Sequence, residues 1–305
     1  MNKVKQESKK KTFKTKYNTT KADYYLKKDI KNILFNGYKD INPRPKYKDG
    51  TPAYTYSVNQ VVRTYDLSRG EFPISTLRPV AWKSAIKEVF WIYQDATSSL
   101  DVLEKKYNIH WWNEWESQDK PKTIGQRYGA TVSKYKLVKR LIEGLQKDPY
   151  GRRHIMDLWQ EADFKETDGL MPCAFLTLWN VRNKDGKEYL DMTLIQRSGD
   201  FLTASGAGQV NEIQYAALQI MIARHCGYEA GVFTHFVQNE QIYDRHLEQA
   251  LELLKRESIK CSPKLILNEE VKNFFKMKIK DFEMLDYPRD VIEKRNPQLK
   301  FDLGI

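Results

Sequence analysis

The fold of this 305-residue chain is decided by residues 169–214, which read GLMPCAFLTLWNVRNKDGKEYLDMTLIQRSGDFLTASGAGQVNEIQ. Two apolar runs, residues 175–181 and 189–196, flank the turn Asn183-Lys184-Asp185-Gly186. A turn of this kind between two such runs is a specific signal of an antiparallel hairpin. The stretch ends where an apolar run over residues 212–225 predicts a buried helix. We therefore expect a hairpin followed by a core helix.

Predicted helices and strands interleave along the rest of the chain. The apolar periodicity predicts helices over 22–35, 80–94, 134–146 and 247–255, and strands over 55–65, 154–159, 233–237, 264–267 and within 274–285. Outside the N-terminal segment there is no low-complexity stretch, no internal repeat and no linker. One α/β domain over residues 22–305 is the economical interpretation.

Much of the net charge of +11 lies at the N-terminus, where residues 1–16 hold seven lysines and one acid. We expect residues 1–21 to form a basic, flexible extension; contact with nucleic acid or anionic membranes is the alternative. No apolar run approaches the ~20 residues needed to cross a bilayer, and no apolar segment follows the first lysines. A cytoplasmic protein is the expectation.

Three cysteines, Cys173, Cys226 and Cys261, are too few and too widely spaced for a disulfide framework or a zinc site. We therefore predict no metal. Cys226 and Cys261 are interpreted as packing residues. Cys173 follows a proline and precedes a cluster of polar residues, so it is either a further packing residue or a nucleophile.

Other segments carry groups whose role stays open on the residues alone. Arg44, between two prolines, reaches an anion or is a solvated loop residue. Glu88 lies on or beside the apolar stripe of its helix, where it has a function or a salt bridge near Lys87. Three tryptophans within residues 109–115 form either a platform for a flat ring or part of the core. Arg152 and Arg153 suit a phosphate clamp, but consecutive strand residues point to opposite faces.

Taken together, four motifs resemble thymidylate synthase, in the branch found in low-GC Gram-positive bacteria. They are RPKYKDGT at 44–51, EFPISTLRP at 71–79, LMPCAF at 170–175 and PQLKFDLGI at 297–305. Each is weak alone, but their order along the chain is specific. The resemblance covers residue 25 to Ile305 and implies a single domain with a mixed, mainly antiparallel sheet covered by helices.

The resemblance implies reductive methylation of dUMP at C5 by 5,10-methylenetetrahydrofolate. Cys173 takes the place of the nucleophile that adds to uracil C6, and Arg197 lies near the thiol, favours the thiolate and holds phosphate. Arg44 and Ser198 complete the phosphate site. Arg152 and Arg153 reach it from a partner subunit, which implies a homodimer.

The remaining site residues follow from the same likeness. Asn211 reads uracil O4 and N3–H, because a carboxamide has both a donor and an acceptor, whereas an Asp suits cytosine. Glu88 organises proton transfer at O4, and Tyr128 lies near the C5 proton. Asp200 is expected to be catalytic as well as to contact substrate and folate. The further substrate residues are Gln196, Gln241 and Tyr243, and the further folate residues are Arg78, Trp112, Trp115 and Ile305.

Three departures from the family pattern bear on this expectation. Gln241 stands where most family members have a histidine, and a glutamine cannot carry a proton. Ala174 stands where a histidine commonly follows the nucleophile. Ten residues separate Asp200 from Asn211, which is more than is common in the family. A dUMP hydroxymethylase of the same fold, in which water captures the methylene, is therefore the rival. A nucleic-acid-binding role through the tail is the alternative from another class.

Overall fold

The computed structural model describes residues 19–304. Its α-helices are α1 Lys21–Asn36, α2 Trp82–Val89, α3 Leu100–Tyr107, α4 Gly129–Tyr135, α5 Leu137–Lys147, α6 Glu161–Glu166, α7 Val210–Cys226, α8 Leu247–Lys255 and α9 Arg289–Arg295. Its strands are β1 Tyr38–Lys39, β2 Thr55–Asp66, β3 His154–Asp157, β4 Ala174–Lys184, β5 Lys187–Gln196, β6 Gly199–Asp200, β7 Glu229–Tyr243, β8 Lys264–Leu267 and β9 Phe282–Leu285.

The main sheet is mixed and mainly antiparallel, in the order β1-β2-β7-β5-β4-β3, with β6 also paired to β7. β7 runs antiparallel to β2 and parallel to β5 and β6. The other pairings in this sheet are antiparallel, and β8 and β9 form a separate two-stranded sheet. The predicted mixed sheet covered by helices is confirmed.

The predicted hairpin is β4 and β5, joined by Asp185 and Gly186 with φ of 54° and 77°. Positive φ at both central residues matches the twist of the strands, and Asp-Gly tolerates it. The register Lys184↔Lys187 extends to Ala174↔Gln196, interrupted by a bulge between Ala174 and Leu176. The hairpin therefore brings the residue after Cys173 opposite Gln196.

The helix α7 lies in the middle of the core. Most of its residues from Glu212 to Ala223 are buried, because it packs on β5 and β7 on one side and on α2 and α5 on the other. A helix covered all round is apolar all round, which explains why its sequence shows no polar stripe. Its N-terminus, at Val210, follows the glycine-bearing loop and opens towards the ends of β5 and β6.

Several predicted elements have different bounds. The helix predicted over 80–94 is α2 followed by a π-helical turn, Phe90–Gln94. The one over 134–146 is broken at Lys136, whose φ is 53°. The strand over 233–237 is the centre of β7. The prediction of strand throughout 274–285 is wrong: Phe274–Lys276 and Ile279–Asp281 are 3-10 turns, and only β9 is extended.

The start of the domain is a capped helix. The Thr20 side chain accepts a hydrogen bond from the backbone N–H of Asp23 at 3.1 Å, so α1 begins at Lys21, one residue before the expected boundary. Most of the predicted extension, residues 1–18, lies outside the described residues. Within residues 19–304, no helix combines the length and apolarity that membrane crossing requires.

Candidate active site

A cavity of about 960 Å³ opens where β5, β6 and the N-terminus of α7 meet. Loop 41–52, the helix α2, the tryptophan segment and the C-terminal segment supply the other walls. The predicted site residues that line it are Arg44, Glu88, Trp112, Trp115, Tyr128, Cys173, Gln196, Arg197, Ser198, Asp200, Asn211, Gln241 and Tyr243. Side chains from distant parts of the sequence therefore converge on one space.

Cys173 lies at the edge of β4 beside a fixed arginine. Nη2 of Arg197 is 3.6 Å from Sγ of Cys173, and the guanidinium is held by the carbonyls of Met171 and Pro172 at 2.8 and 2.9 Å. Burial raises the pKa of the Cys173 thiol, while Arg197 and Arg44 lower it. The predicted direction of the arginine effect is present, but burial outweighs it.

Tyr128 supports the cysteine through the backbone. Its hydroxyl accepts a hydrogen bond from the N–H of Cys173 at 3.1 Å, and its ring packs edge-on against Trp112. Its φ of 46° is unusual for a bulky residue. Such strain persists only where the surroundings hold it, and it is common at functional sites.

Glu88 faces the cavity from α2 and makes no salt bridge with Lys87, whose ammonium instead donates to the carbonyl of Tyr107 at 3.1 Å. Nε1 of Trp111 donates to Oε2 of Glu88 at 2.6 Å. Burial raises the Glu88 pKa to about 6, although Trp111, Trp112 and Gln214 lower it. A carboxyl group with this pKa can give and take a proton near neutrality. Trp111, within the tryptophan segment, was not among the site residues predicted from the sequence.

Two glutamines flank Asn211. Nε2 of Gln196 donates to the carbonyl of Ser198 at 3.0 Å and to Oδ1 of Asn211 at 3.4 Å. Nδ2 of Asn211 donates to Oε1 of Gln214 at 3.0 Å. The amide therefore has one defined orientation. Sequence reasoning missed Gln214; its place one helical turn after Asn211 was the available signal.

The strand β6 aligns Asp200 with Gln241 of β7. Oδ1 of Asp200 and Nε1 of Trp112 are buried with no hydrogen-bond partner among residues 19–304. Trp112, Trp115 and Asp200 all line the cavity, which places two indole rings near a carboxyl group. An aromatic wall with polar atoms of this kind fits a flat heterocycle such as a pterin.

Comparison with known proteins agrees with this geometry. The family model described as thymidylate synthase matches residues 24–297. Thymidylate synthases of Streptococcus pneumoniae and Lactococcus lactis subsp. cremoris are 52% and 54% identical to this chain; each alignment covers 94% of it and 100% of the relative. The solved thermostable thymidylate synthase A from Bacillus subtilis superimposes with a TM-score of 0.81 at 32% identity, over 93% of this chain and 99% of that one.

The chain belongs to the thymidylate synthase family. It is a folate-dependent methyltransferase, and the reaction of the family is methylation of dUMP to dTMP. The rival hydroxymethylase is not favoured. The two relatives come from low-GC Gram-positive bacteria, which confirms the branch expected from the motifs.

Three described residues predicted from the thymidylate synthase likeness, Arg78, Arg152 and Arg153, do not line the cavity. Arg78 is buried beside it and donates to the carbonyl of Leu202 at 2.7 Å and to the side chains of Gln209 and Gln298. Arg152 and Arg153 are exposed at the start of β3. Ile305 lies outside the described residues, although Leu303 and Gly304 line the cavity.

Acidic, histidine and cysteine side chains do not gather into a metal-binding group anywhere in residues 19–304. The three cysteines are free. The cavity of this thymidylate synthase family member is instead lined by the thiol of Cys173, the carboxyl groups of Glu88 and Asp200 and the amide of Asn211, among other groups.

Proposed function

We propose that this cavity methylates dUMP through covalent addition of Cys173 to C6 of the uracil ring. The observation that carries the proposal is the 3.6 Å contact between Cys173 Sγ and Arg197 Nη2, in a cavity that also holds an oriented amide and a buried carboxyl group. The thiol loses its proton, its sulfur bonds to C6, and the electron pair of the C5–C6 double bond moves to C5 and O4. C5 then becomes nucleophilic.

The raised pKa of the Cys173 thiol supports a role for the substrate in forming the thiolate. Burial of the thiol is the cause of this rise. Arg44 and Arg197 are the cations nearest to it, and together with Ser198 they would bind the phosphate group. We propose that dUMP binding positions C6 against the sulfur while these arginines stabilise the thiolate that attacks.

The base and sugar have their own contacts in this proposal. The Asn211 amide accepts from N3–H and donates to O4, and Glu88 moves a proton at O4. Tyr128 lies near the C5 proton. Gln241 and Tyr243 bind the sugar, and because a glutamine does not titrate, Gln241 acts by hydrogen bonding alone.

The folate would lie against Trp112, Trp115 and Asp200, which line the cavity with two indole rings and a carboxyl group. When bound, 5,10-methylenetetrahydrofolate supplies the one-carbon unit and the hydride. Leu303 and Gly304 would cover the cavity and exclude water, and a contact from Ile305 stays a prediction. Arg78 would act by bracing residues 202–209 beside the folate.

We further propose a cytoplasmic homodimer in which Arg152 and Arg153 of one subunit complete the phosphate site of the other. Both arginine side chains are exposed. Arg153 has an ionic contact with Asp148 at 3.9 Å, but both of these groups are mostly in solvent. The two arginines are therefore available to bind the phosphate of a ligand in the partner subunit.

A nucleic-acid-binding role of the tail stays a prediction. Removing residues 1–16 tests it, since RNA binding would be lost while turnover stays intact.

The test mixes the protein with dUMP and 5,10-methylenetetrahydrofolate and follows both products. We expect dTMP together with dihydrofolate; hydroxymethyl-dUMP together with tetrahydrofolate would establish the rival chemistry instead. Cys173→Ser should abolish turnover while calorimetry still detects dUMP binding. Cys226→Ser, which changes a cysteine outside the cavity, is the matched control and should stay active. A fully active Cys173→Ser enzyme would refute the covalent route.

A further inference from the structure

A buried ion cluster lies directly behind the cavity. Arg63 of β2 donates to Glu212 at 2.6 Å, to Glu240 at 2.8 Å and to Asp29 at 3.1 Å. All four side chains are at most 3% exposed. Burying one guanidinium with three carboxyl groups is costly and is weak evidence for stabilisation by itself. A contribution to stability therefore does not explain by itself why the cluster is present.

His235 connects this cluster to the cavity. On one side its Nδ1 is 3.1 Å from Arg63 Nη2 and 3.1 Å from Glu212 Oε1. On the other side its Nε2 is 3.0 Å from Oε1 of Gln196. The imidazole is fully buried, and Gln196 in turn contacts Asn211. A continuous hydrogen-bonded path thus leads from Arg63 to the amide that faces the substrate.

The direction of the hydrogen bonds along this path follows from a backbone carbonyl. The carbonyl of Ser198 can only accept, so the group of Gln196 that faces it must be the Nε2 amide. Oε1 of Gln196 then faces His235 and needs a donor, which requires Nε2–H on the imidazole. On the other side of the ring, Nδ1 lies 3.1 Å from both the Arg63 guanidinium and the Glu212 carboxyl group, so these two groups fix the position of the imidazole.

We propose that Arg63 and His235 form a positioning unit that fixes the Gln196 amide and, through it, the Asn211 amide. The unit rests on the proposed role of Asn211 as the reader of the base. In one orientation an amide matches the O4 acceptor and N3–H donor of uracil; turned over, it matches the amino donor and N3 acceptor of cytosine. Holding the orientation therefore selects uracil nucleotides against cytosine nucleotides.

The test compares kcat and KM for dUMP and dCMP in the full-length enzyme. His235→Phe fills the space but removes the donor to Gln196 Oε1, which leaves the contacts of Gln196 Nε2 with Ser198 and Asn211 as the hydrogen bonds of that amide. We expect KM for dUMP to rise about tenfold, the scale of one lost hydrogen bond to a buried group, and the preference for dUMP over dCMP to fall by a similar factor. His235→Gln, which can donate from nearly the same position, should restore most of the preference.

Tyr65→Phe is the matched control, since it removes the 2.7 Å bond to Oε2 of Glu212 but leaves His235 and Gln196 in contact. We expect it to lower stability without changing the dUMP to dCMP ratio. An unchanged ratio in a folded His235→Phe enzyme, or an equal fall in the Tyr65→Phe control, would overturn the inference.

A second measurement does not depend on folding of a variant. In the wild-type protein, nitrogen NMR of labelled histidine should show His235 protonated at Nε2, and an unprotonated Nε2 overturns the path. If wild-type enzyme produces no dTMP, the proposed function fails instead, whereas normal turnover with an unprotonated Nε2 contradicts this inference alone.

Discussion

Glu88 is the residue whose environment is most clearly tuned in this site. It is buried beside Trp111 and Gln214, and its pKa of about 6 lies near working pH. No cation pairs with it among the described residues that contact it. Because buried carboxyl groups with a raised pKa are typical of functional sites, we propose that Glu88 serves proton transfer rather than stability.

We expect Glu88→Gln to lower kcat by about 100-fold or more, since a positioned general acid or base contributes on that scale. Dihydrofolate formation at saturating dUMP measures it. Glu143→Gln, on the exposed side of α5, is the control and should keep wild-type turnover. Equal rates in the two variants would remove Glu88 from the chemistry.

The same carboxyl group predicts a pH dependence of stability. Its folded-state pKa is raised above the usual 4.5, so the unfolded chain loses this proton first and stability falls as pH rises from 4.5 through about 6. The loss is roughly 2 kcal/mol. The Glu88→Gln variant has no such loss, because a glutamine does not titrate. Between pH 4.5 and 7, the free energy of unfolding measured with urea should therefore rise by about 2 kcal/mol in the variant relative to wild type. A difference between the two proteins that stays constant with pH would contradict the assignment.

Asn211→Asp should shift the preference from dUMP towards dCMP, because a protonated carboxyl donates to N3 of cytosine and accepts from its amino group. The measurement is the ratio of kcat/KM for the two nucleotides. A ratio equal to that of wild type would mean that another group reads the base.

At the scale of elements, the segment between β6 and α7 contains the glycine-rich stretch 204–209, which we expect to differ from the common family pattern. It begins as a π-helical turn, Phe201–Ser205, and ends at Gly208, whose φ is 69°. The carbonyl of Gly208 accepts from Ser75 and its N–H donates to Glu212. The loop is therefore attached to the core through both the carbonyl and the N–H of Gly208.

Gly208→Ala should destabilise the protein strongly. The added Cβ would lie 2.5 Å from the backbone N of Ser75 and 2.8 Å from Cβ of Ala22, in addition to the cost of positive φ. Gly186→Ala is the control, since its φ of 77° carries the same cost with nothing within 4 Å. We expect about 1 kcal/mol for Gly186→Ala and about 3 kcal/mol or more for Gly208→Ala by urea unfolding. Similar losses of unfolding free energy in the two variants would show that the residues around Gly208 move to accommodate the added methyl group.

Local signals predicted the elements that local chemistry determines. Asp185 and Gly186 set the hairpin, and the apolar run of α7 set the core helix. The π turn at Phe90–Gln94 and the break at Lys136 depend on how the helices pack, and no residue type there signals either. The 3-10 turns around Phe274 were misread as strand because apolar residues without clear periodicity suit both.

At the scale of the whole molecule, the proposed homodimer predicts complementation between two inactive chains. An Arg152→Ala/Arg153→Ala chain should be weakened at phosphate binding, and a Cys173→Ser chain should be inactive. A mixed dimer would contain one site with an intact cysteine and intact arginines from opposite chains. We expect activity to return on mixing the two with exchange of subunits; no recovery beyond the separate proteins would contradict donation across the interface.

The set of site residues could be predicted from the order of the motifs along the chain. Their spacing in the sequence did not indicate that they would meet in one cavity. Arg44, Glu88, Cys173 and Tyr243 lie far apart in sequence, and only the sheet order brings them to one cavity. Arg78 illustrates the limit, since its sequence context does not distinguish a ligand contact from a brace. Trp111 and Gln214 were missed because which of several similar side chains reaches Glu88 depends on tertiary packing.

The central position of β7 has a consequence for synthesis of the chain. Val61 of β2 pairs with Val237 of β7, about 175 residues later. At roughly 5 to 20 residues per second, β2 waits on the order of 10 to 30 s for its main partner to leave the ribosome. During that time its apolar side chains and unpaired backbone groups are exposed. Assembly of this sheet is therefore a late event, and slower translation lengthens the period in which the nascent chain is open to aggregation.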